Sequence, residues 1–323
     1  MIAVLVLLAV ELNPPEIEPL ILNGLRYAYT ESFDSAAVWF DSIQRVYPEN
    51  PSGWFYKAAL VQVYMMDGCR TDRELEYSQL IDSTIAKATR HLGDGSNPWA
   101  QYYLGSAHMY SAIHEGSKKN YWAAFSLGMK GGKMLKKLIE TYPEFYDAYL
   151  GAGSFDYFWA RASRYLPVLK LIGDFTKGVE EIKVARAKGT YSRITAQNAL
   201  VWIYTQEGKY AEGLKLADDL LAKYPASRTF LWSRAGIRYA NRKYGDALAD
   251  YERLYAIYDA AAEKNYANLA QGKLYAGKCL FELGRLKESR QACDAVLGFY
   301  RYRDQYPQIN DYVNEAKALK RCL

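Results

Sequence analysis

The feature that most constrains this 323-residue chain is a two-helix pattern that returns about every 34 residues. It is clearest from Ile194 to Pro225, where apolar residues recur at helical spacing, Gly208 interrupts them, and a second helical stripe runs to the closing proline. The same register fits the segments Ile17 to Pro48 and Arg228 to Asp259. This period predicts stacked helix pairs, and no stretch alternates for long enough to predict a sheet.

The register extends along most of the chain and predicts an all-α fold of about seven helix pairs followed by a C-terminal capping helix. Residues 1–16 form an apolar N-terminal segment, and residues 17–323 are expected to be one repeat domain. Within that domain we predict four parts along the chain: N-terminal repeats at 17–96, irregular central pairs at 97–190, regular repeats at 191–307 and a cap at 308–323.

The unit from Ile194 to Pro225 resembles the tetratricopeptide repeat, in which large, small and aromatic residues, then alanine and proline, occupy fixed positions. The resemblance implies a right-handed α-solenoid that binds other proteins and carries out no reaction. The centre, Tyr142 to Tyr204, also resembles exported bacterial proteins of this kind. It is more weakly similar to a eukaryotic family that includes an inclusion-body clearance protein, through a helix pair broken at Leu166 and Pro167.

The same resemblance predicts which side chains face the inner wall of the solenoid. Tyrosine and tryptophan suit such a wall because they offer a large contact area with a polar tip. The predicted partner-binding groove consists of Phe55, Trp99, Tyr102, Tyr110, Phe155, Asn198, Trp202, Gln206, Trp232 and Tyr239. Phe281 falls at an equivalent position, and Lys278 is the lone cation on this face, so a clamp for acidic peptide tails is not expected. An aromatic residue at any of these positions could equally fill space between successive repeats.

A second interpretation places a pocket for a small molecule or glycan, or an enzyme site, in the irregular central pair. Aromatic residues and both signs of charge crowd one helix there, ahead of the Leu-Pro break. The residues of this alternative pocket are Tyr149, Asp156, Trp159, Arg161 and Arg164. Convergence of Asp156 and Arg161 in a deep pocket would favour this second interpretation.

The first ten residues are uninterruptedly apolar, which suits the core of a secretion signal but is too short to span a bilayer. We therefore expect an exported protein that is periplasmic or membrane-associated. The alternatives are a cytoplasmic protein in which this run caps the first repeat, and a homo-oligomer that associates through it. The excess of 41 basic over 36 acidic residues is mild and spread along the chain, so no nucleic-acid partner is expected.

No pattern in the sequence predicts a catalytic, cofactor or metal site. The glycines at 128–133 and 151–156 lack the spacing of phosphate-binding or dinucleotide-binding loops and fit helix seams better. His108 and His114 are six residues apart and so lie on different helix faces. Four cysteines show no paired spacing, and whether Cys279 and Cys293 form a disulfide stays open, with small buried residues the favoured interpretation. We expect no enzyme, no metal and no cofactor.

Overall fold

The computed structural model describes residues 12–93, 95–162 and 173–323. Three features of the sequence interpretation fall outside these ranges: the apolar run at residues 1–10, the Leu166–Pro167 break and Arg164.

The residues in these ranges form fifteen α-helices and one 3-10 turn, Phe299–Tyr302, and contain no strand. The helices are α1 (Ile17–Ala28), α2 (Phe33–Val46), α3 (Pro51–Gly68), α4 (Glu74–Leu92), α5 (Pro98–Ser117), α6 (Tyr121–Thr141), α7 (Ala148–Ala162), α8 (Phe175–Lys188), α9 (Arg193–Gln206), α10 (Tyr210–Lys223), α11 (Arg228–Ala240), α12 (Tyr244–Ala260), α13 (Tyr266–Glu282), α14 (Leu286–Gly298) and α15 (Ile309–Arg321). They correspond to seven pairs and a final helix, so the predicted all-α fold and its helix order are confirmed.

The helices belong to two compact units. The first comprises the described residues within the ranges up to Ala28, Ser32–Gln62 and Glu74–Arg193. The second comprises Tyr29–Glu31, Val63–Arg73 and Ile194–Leu323. In each unit, helices that follow one another in the chain pack side by side, as in α5 with α6 and α13 with α14. This is the packing expected of helical repeats, in which each element contacts its sequence neighbours. The predicted handedness and the predicted domain boundaries stay predictions.

In the first unit, α5 and α6 approach each other so closely that the backbones themselves touch. A methyl group on Gly131 would lie 2.5 Å from the carbonyl oxygen of Gly105 and 2.9 Å from the backbone nitrogen of Met109. A methyl group on the adjacent Gly132 would overlap the ring of Phe155. The glycines of α6 therefore serve helix packing, and the close backbone approach offsets their poor helix propensity.

The glycines of α7 and α8 repeat this arrangement. A methyl group on Gly153 would lie 2.5 Å from the carbonyl oxygen of Gly178, and one on Gly178 would lie 2.6 Å from that of Gly153. The residues 151–156 are part of a continuous helix, so their resemblance to a dinucleotide-binding sequence has a packing origin.

In the second unit, the start of α11 is held by acidic side chains from earlier in the chain. The Glu31 carboxylate accepts hydrogen bonds from the backbone nitrogens of Arg228 and Thr229, at 2.9 and 3.0 Å. Asp67 binds the Arg228 guanidinium, with 2.6 Å between Oδ2 and Nη2. A carboxylate at a helix N-terminus satisfies backbone donors that have no partner within the helix. Burial nevertheless raises the pKa of Glu31, against the lowering effect of these hydrogen bonds.

Candidate functional site

The second unit contains a cleft of about 370 Å³ formed by α11, α13 and α15. This volume falls within the range of pockets that accept a side chain or a small ligand. Its lining residues are Tyr239, Lys278, Phe281, Glu282, Glu315, Ala318, Leu319 and Cys322. Tyr239, Lys278 and Phe281 are residues that the repeat register assigns to the inner face. Three residues predicted to lie on the inner face therefore line the same cleft.

Ring contacts hold Tyr239 in position at the end of α11. Its ring meets Tyr275 at 5.8 Å and 89°, and Tyr244 at 5.6 Å and 66°, and both are edge-to-face arrangements that aromatic pairs favour. Burial and the neighbouring Cys279 and Glu282 raise the pKa of Tyr239 to about 12. The phenol is therefore neutral at physiological pH and can both donate and accept a hydrogen bond.

The terminal helix α15 forms the other wall of the cleft. Its apolar stripe of Ile309, Val313 and Ala316 is buried against the unit, which directs Ala318 and Leu319 to the cleft on the adjoining face. An ion pair between Lys278 Nζ and Glu315 Oε2, at 2.6 Å, ties α15 to α13. The helix predicted as a polar cap is therefore also part of a concave surface.

The charges around the cleft leave an accessible carboxylate. Lys278 is engaged by Glu315 and lies 4.6 Å from the centre of the Tyr275 ring. Glu282 is exposed at the mouth. Partial burial and this carboxylate together raise the pKa of Tyr244. A bound segment that brings an apolar side chain and a neighbouring cation would match this arrangement.

The predicted groove residues of the first unit lie in a dense cluster of aromatic rings. Phe55 contacts Tyr102 and Tyr110, with ring centres 6.3 and 5.3 Å apart, and Trp99 lies 5.8 Å from Tyr102. Phe55 is 3% and Tyr102 is 7% exposed, whereas Trp99 and Tyr110 are half-buried. Phe155 is buried over Gly132. These five side chains pack the interior of the unit, and their role in partner binding stays a prediction.

The predicted groove residues of the second unit are more accessible. Trp202 is 42% exposed, Gln206 is exposed, and Asn198 is half-buried. The amide oxygen of Asn198 accepts a hydrogen bond of 2.8 Å from Ser233. The indole nitrogen of Trp232 donates a hydrogen bond of 3.2 Å to the hydroxyl of Tyr258, so part of its polar edge is occupied.

The residues of the alternative pocket separate into different environments. Tyr149 donates a hydrogen bond of 2.9 Å to the carbonyl oxygen of Pro143, and Trp159 packs edge-on against Phe125 at 4.8 Å. Arg161 donates to the hydroxyl of Tyr157 at 3.2 Å.

Asp156 instead joins a buried ion cluster in the first unit. Lys136 binds Asp156 closely and lies 2.9 Å from Glu181 Oε1. Burial raises the pKa of Glu181, while Lys136 opposes the shift. Burial lowers the pKa of Lys136, but the two carboxylates raise it by more, so the net shift is upward. Lys136 and Glu181 were not identified from the sequence. Together with Asp156 they lie on three different helices, so the cluster leaves no local sequence pattern.

The described residues contain no group of three side chains that could hold a metal ion. All four cysteines are free thiols; Cys279 and Cys293 are buried. Within the same ranges, no helix is both long and apolar enough to cross a membrane.

In comparisons with known proteins, part of the regular repeats matches a family model. Residues 198–262, from α9 to the end of α12, match the family model of the tetratricopeptide repeat. No curated protein matches the chain significantly.

Among solved structures, the chain is similar to a tetratricopeptide repeat protein from Parabacteroides merdae, with 13% identity, a TM-score of 0.44 and coverage of 94% of this chain and 100% of that chain. It is similar to the C-terminal part of a repeat-containing protein from Cytophaga hutchinsonii, with 14% identity, a TM-score of 0.45 and coverage of 90% and 98%. Yeast Tom70 shows 9% identity and a TM-score of 0.34, with coverage of 96% and 91%.

Proposed function

We propose that this protein is a non-catalytic scaffold that binds a segment of a partner protein. Residues 198–262 match the tetratricopeptide repeat, a module that generally mediates protein-protein interaction. The proposed groove lies along the aromatic inner faces of the helices and includes the cleft of α11, α13 and α15. The observation that carries the proposal is the placement of Tyr239 and Phe281 in this cleft, opposite Leu319.

The cleft supports a particular class of segment. Phe281 and Leu319 offer apolar surface to a buried side chain, and the exposed carboxylate of Glu282 attracts a positive charge beside it. The segment therefore carries an apolar or aromatic residue next to lysine or arginine. The accessible residues Trp202 and Gln206 extend the same kind of surface on α9.

A displayed peptide library selected on the full chain tests this proposal. We expect the enriched peptides to combine an aromatic or large aliphatic residue with a basic neighbour. Fluorescence anisotropy then gives Kd for one selected peptide. Phe281→Ala should raise Kd on the order of 30-fold, since a central apolar anchor is worth about 2 kcal/mol. Glu282→Gln should raise Kd several-fold at low salt and less at high salt.

Leu283→Ala is the matched control, because Leu283 is 42% exposed and adjoins the cleft in sequence without lining it. Its Kd should equal that of the unaltered protein. Selected peptides that bind the Phe281→Ala variant as tightly as the unaltered protein would refute the cleft as the binding site.

We also propose that the protein is exported and acts in the periplasm or at a membrane face. The apolar run at residues 1–10 supports this location. N-terminal sequencing of the protein recovered from cells tests it. A start beyond this run in the periplasmic fraction agrees with export, whereas an intact run in a cytoplasmic fraction contradicts it.

A further inference from the structure

The outer face of α6 carries an arrangement that neither the groove nor the ion cluster explains. Five exposed side chains follow one another there at intervals of three or four residues: Trp122, Ser126, Lys130, Lys133 and Lys137. Residues with this spacing lie on one face of a helix, over a length of roughly 22 Å at about 1.5 Å per residue. One end of the stripe is aromatic and the rest is basic.

The aromatic end is unusually exposed and contacts other rings on one side. Trp122 is 85% and Tyr121 is 70% exposed, although large rings are ordinarily well buried. The Trp122 ring contacts Phe125 at 6.4 Å, Phe125 contacts Trp159 at 4.8 Å, and Trp159 contacts the buried Phe155 at 6.1 Å. This series of ring contacts connects Trp122 to the interior of the first unit, while the indole itself is exposed to solvent.

The basic part of the stripe has no acidic counterpart on its own helix until Glu140, in the last turn. Among the described residues, no ion pair is found for Lys130, Lys133 or Lys137. Lys119, in the turn that precedes α6, adds a fourth exposed cation beside the aromatic pair. Lys136 belongs to the buried cluster and does not contribute. The face therefore presents the Trp122 ring and three lysines, with Lys119 ahead of the helix and the single carboxylate of Glu140 at the far end.

We propose that this face of α6 docks on the surface of an anionic phospholipid bilayer. Tryptophan and tyrosine rings settle at the boundary between headgroups and acyl chains, because the ring is apolar and its edge is polar. Lysines nearby bind the anionic headgroups through their long stems. The side chains project from a single helix instead of lining a cleft, which fits a flat partner better than a peptide segment. This docking surface is separate from the proposed groove and does not depend on it.

Sedimentation of the full chain with vesicles tests the proposal. We compare vesicles of phosphatidylcholine alone with vesicles containing about one third phosphatidylserine. The protein should bind the anionic vesicles and release them as salt rises, since the attraction is screened. Replacing Lys130, Lys133 and Lys137 together by glutamine should weaken binding on the order of 100-fold. Trp122→Ala should weaken it on the order of 10-fold.

Two controls separate this face from general effects of charge and apolar surface. The first replaces three exposed lysines of the second unit, Lys215, Lys243 and Lys287, by glutamine and has the same net charge as the test variant. The second is Leu75→Ala, because Leu75 is 72% exposed on α4. Both should bind as the unaltered protein does. Quenching of tryptophan fluorescence by brominated lipid should fall specifically in Trp122→Ala.

Several results would overturn the proposal. One is equal loss of binding in the two triple-lysine variants. Another is equal binding to neutral and anionic vesicles that the α6 substitutions do not change. That result would assign the membrane contact to another part of the chain, such as residues 1–10. Binding of an acidic peptide such as polyglutamate without binding of anionic vesicles would assign the face to a protein partner.

Discussion

His108 should make the stability of the protein depend on pH in a defined window. The side chain lies on α5 and is 4% exposed, and neither of its ring nitrogens has a hydrogen-bond partner within the described part of the chain. Burial, with a further contribution from Lys130, lowers the pKa of His108 to about 4. The imidazole is therefore neutral in the folded protein at any pH above this value.

The direction of the effect follows from the two protonation states. Above pH 6.5, His108 is neutral in both the folded and the unfolded chain and contributes no pH dependence. Between pH 6.5 and about 4 the unfolded chain binds a proton that the folded protein does not, so the free energy of unfolding falls as the pH falls. At about 1.4 kcal/mol per pH unit the loss reaches roughly 3 kcal/mol, and it stops below pH 4.

Urea unfolding at a series of pH values, followed by circular dichroism, measures this loss. His108→Leu removes the titrating group and two buried polar atoms, so it should be neutral or stabilising at pH 7 and should lower the acid sensitivity by about 3 kcal/mol. His91→Gln is the comparison variant, because His91 is a partly exposed histidine on α4. If unaltered protein and His108→Leu lose the same free energy between pH 6.5 and 4, the assignment to His108 is refuted.

Three further predictions follow from the packing and the thiols. Gly131→Ala should destabilise the protein by about 2–3 kcal/mol, because the methyl group meets a neighbouring backbone. Gly236→Ala should stabilise it by about 0.5–1 kcal/mol, because nothing lies within 4 Å of that position. Thermal unfolding measures both changes, and equal effects of the two substitutions would contradict the packing. Arg228→Ala should lower the free energy of unfolding by about 2–4 kcal/mol in urea titrations, because the Asp67 carboxylate loses its main cationic partner; a change below about 0.5 kcal/mol would show that the pair contributes little. In native protein, Cys322 should react with a maleimide within minutes, while the buried Cys279, whose pKa is raised to about 12 by burial, should react only on unfolding; mass spectrometry counts the modified thiols, and an unreactive Cys322 would contradict its exposure.

The helical architecture could be predicted because its signal is local. Glycine turns and apolar stripes repeat at short range, and Gly208 and Gly284 do lie at turns with φ of +72° and +73°. The glycines of α6 could also be interpreted correctly, because a helix tolerates them only where a neighbour approaches closely. These inferences need no knowledge of distant contacts.

The exposure of the predicted inner-wall residues could not be predicted, because the repeat register gives a direction on the helix and not what lies opposite. The register assigned Tyr239, Phe281, Phe55 and Tyr102 to the same face. In the structure Tyr239 and Phe281 line a cleft, whereas Phe55 and Tyr102 are buried by neighbouring rings. Nothing local distinguishes the two cases. The contribution of α15 was missed because its sequence is polar overall and only a short stretch around Leu319 meets the cleft.

Contacts between residues far apart in the chain could not be predicted at all. Asp67 and Arg228 are separated by 161 positions, and neither belongs to a motif. Asp156 stood out for its charge, and its convergence with Arg161 on the same helix would have favoured the alternative pocket. The structure pairs it with Lys136, 20 positions away on α6, because helix packing brings those two faces together.

The central claim is that the cleft of α11, α13 and α15 receives a segment of a partner protein, and mapping the contact site tests it most directly. A photo-crosslinking amino acid is placed at Ala318, which is exposed in the cleft, and in a second protein at Val38, which is 63% exposed on α2. Each protein is irradiated with a peptide selected on the unaltered chain. We predict a crosslink at position 318, competed by unlabelled peptide, and none at position 38. A competed crosslink at position 38 with none at position 318 would contradict the account.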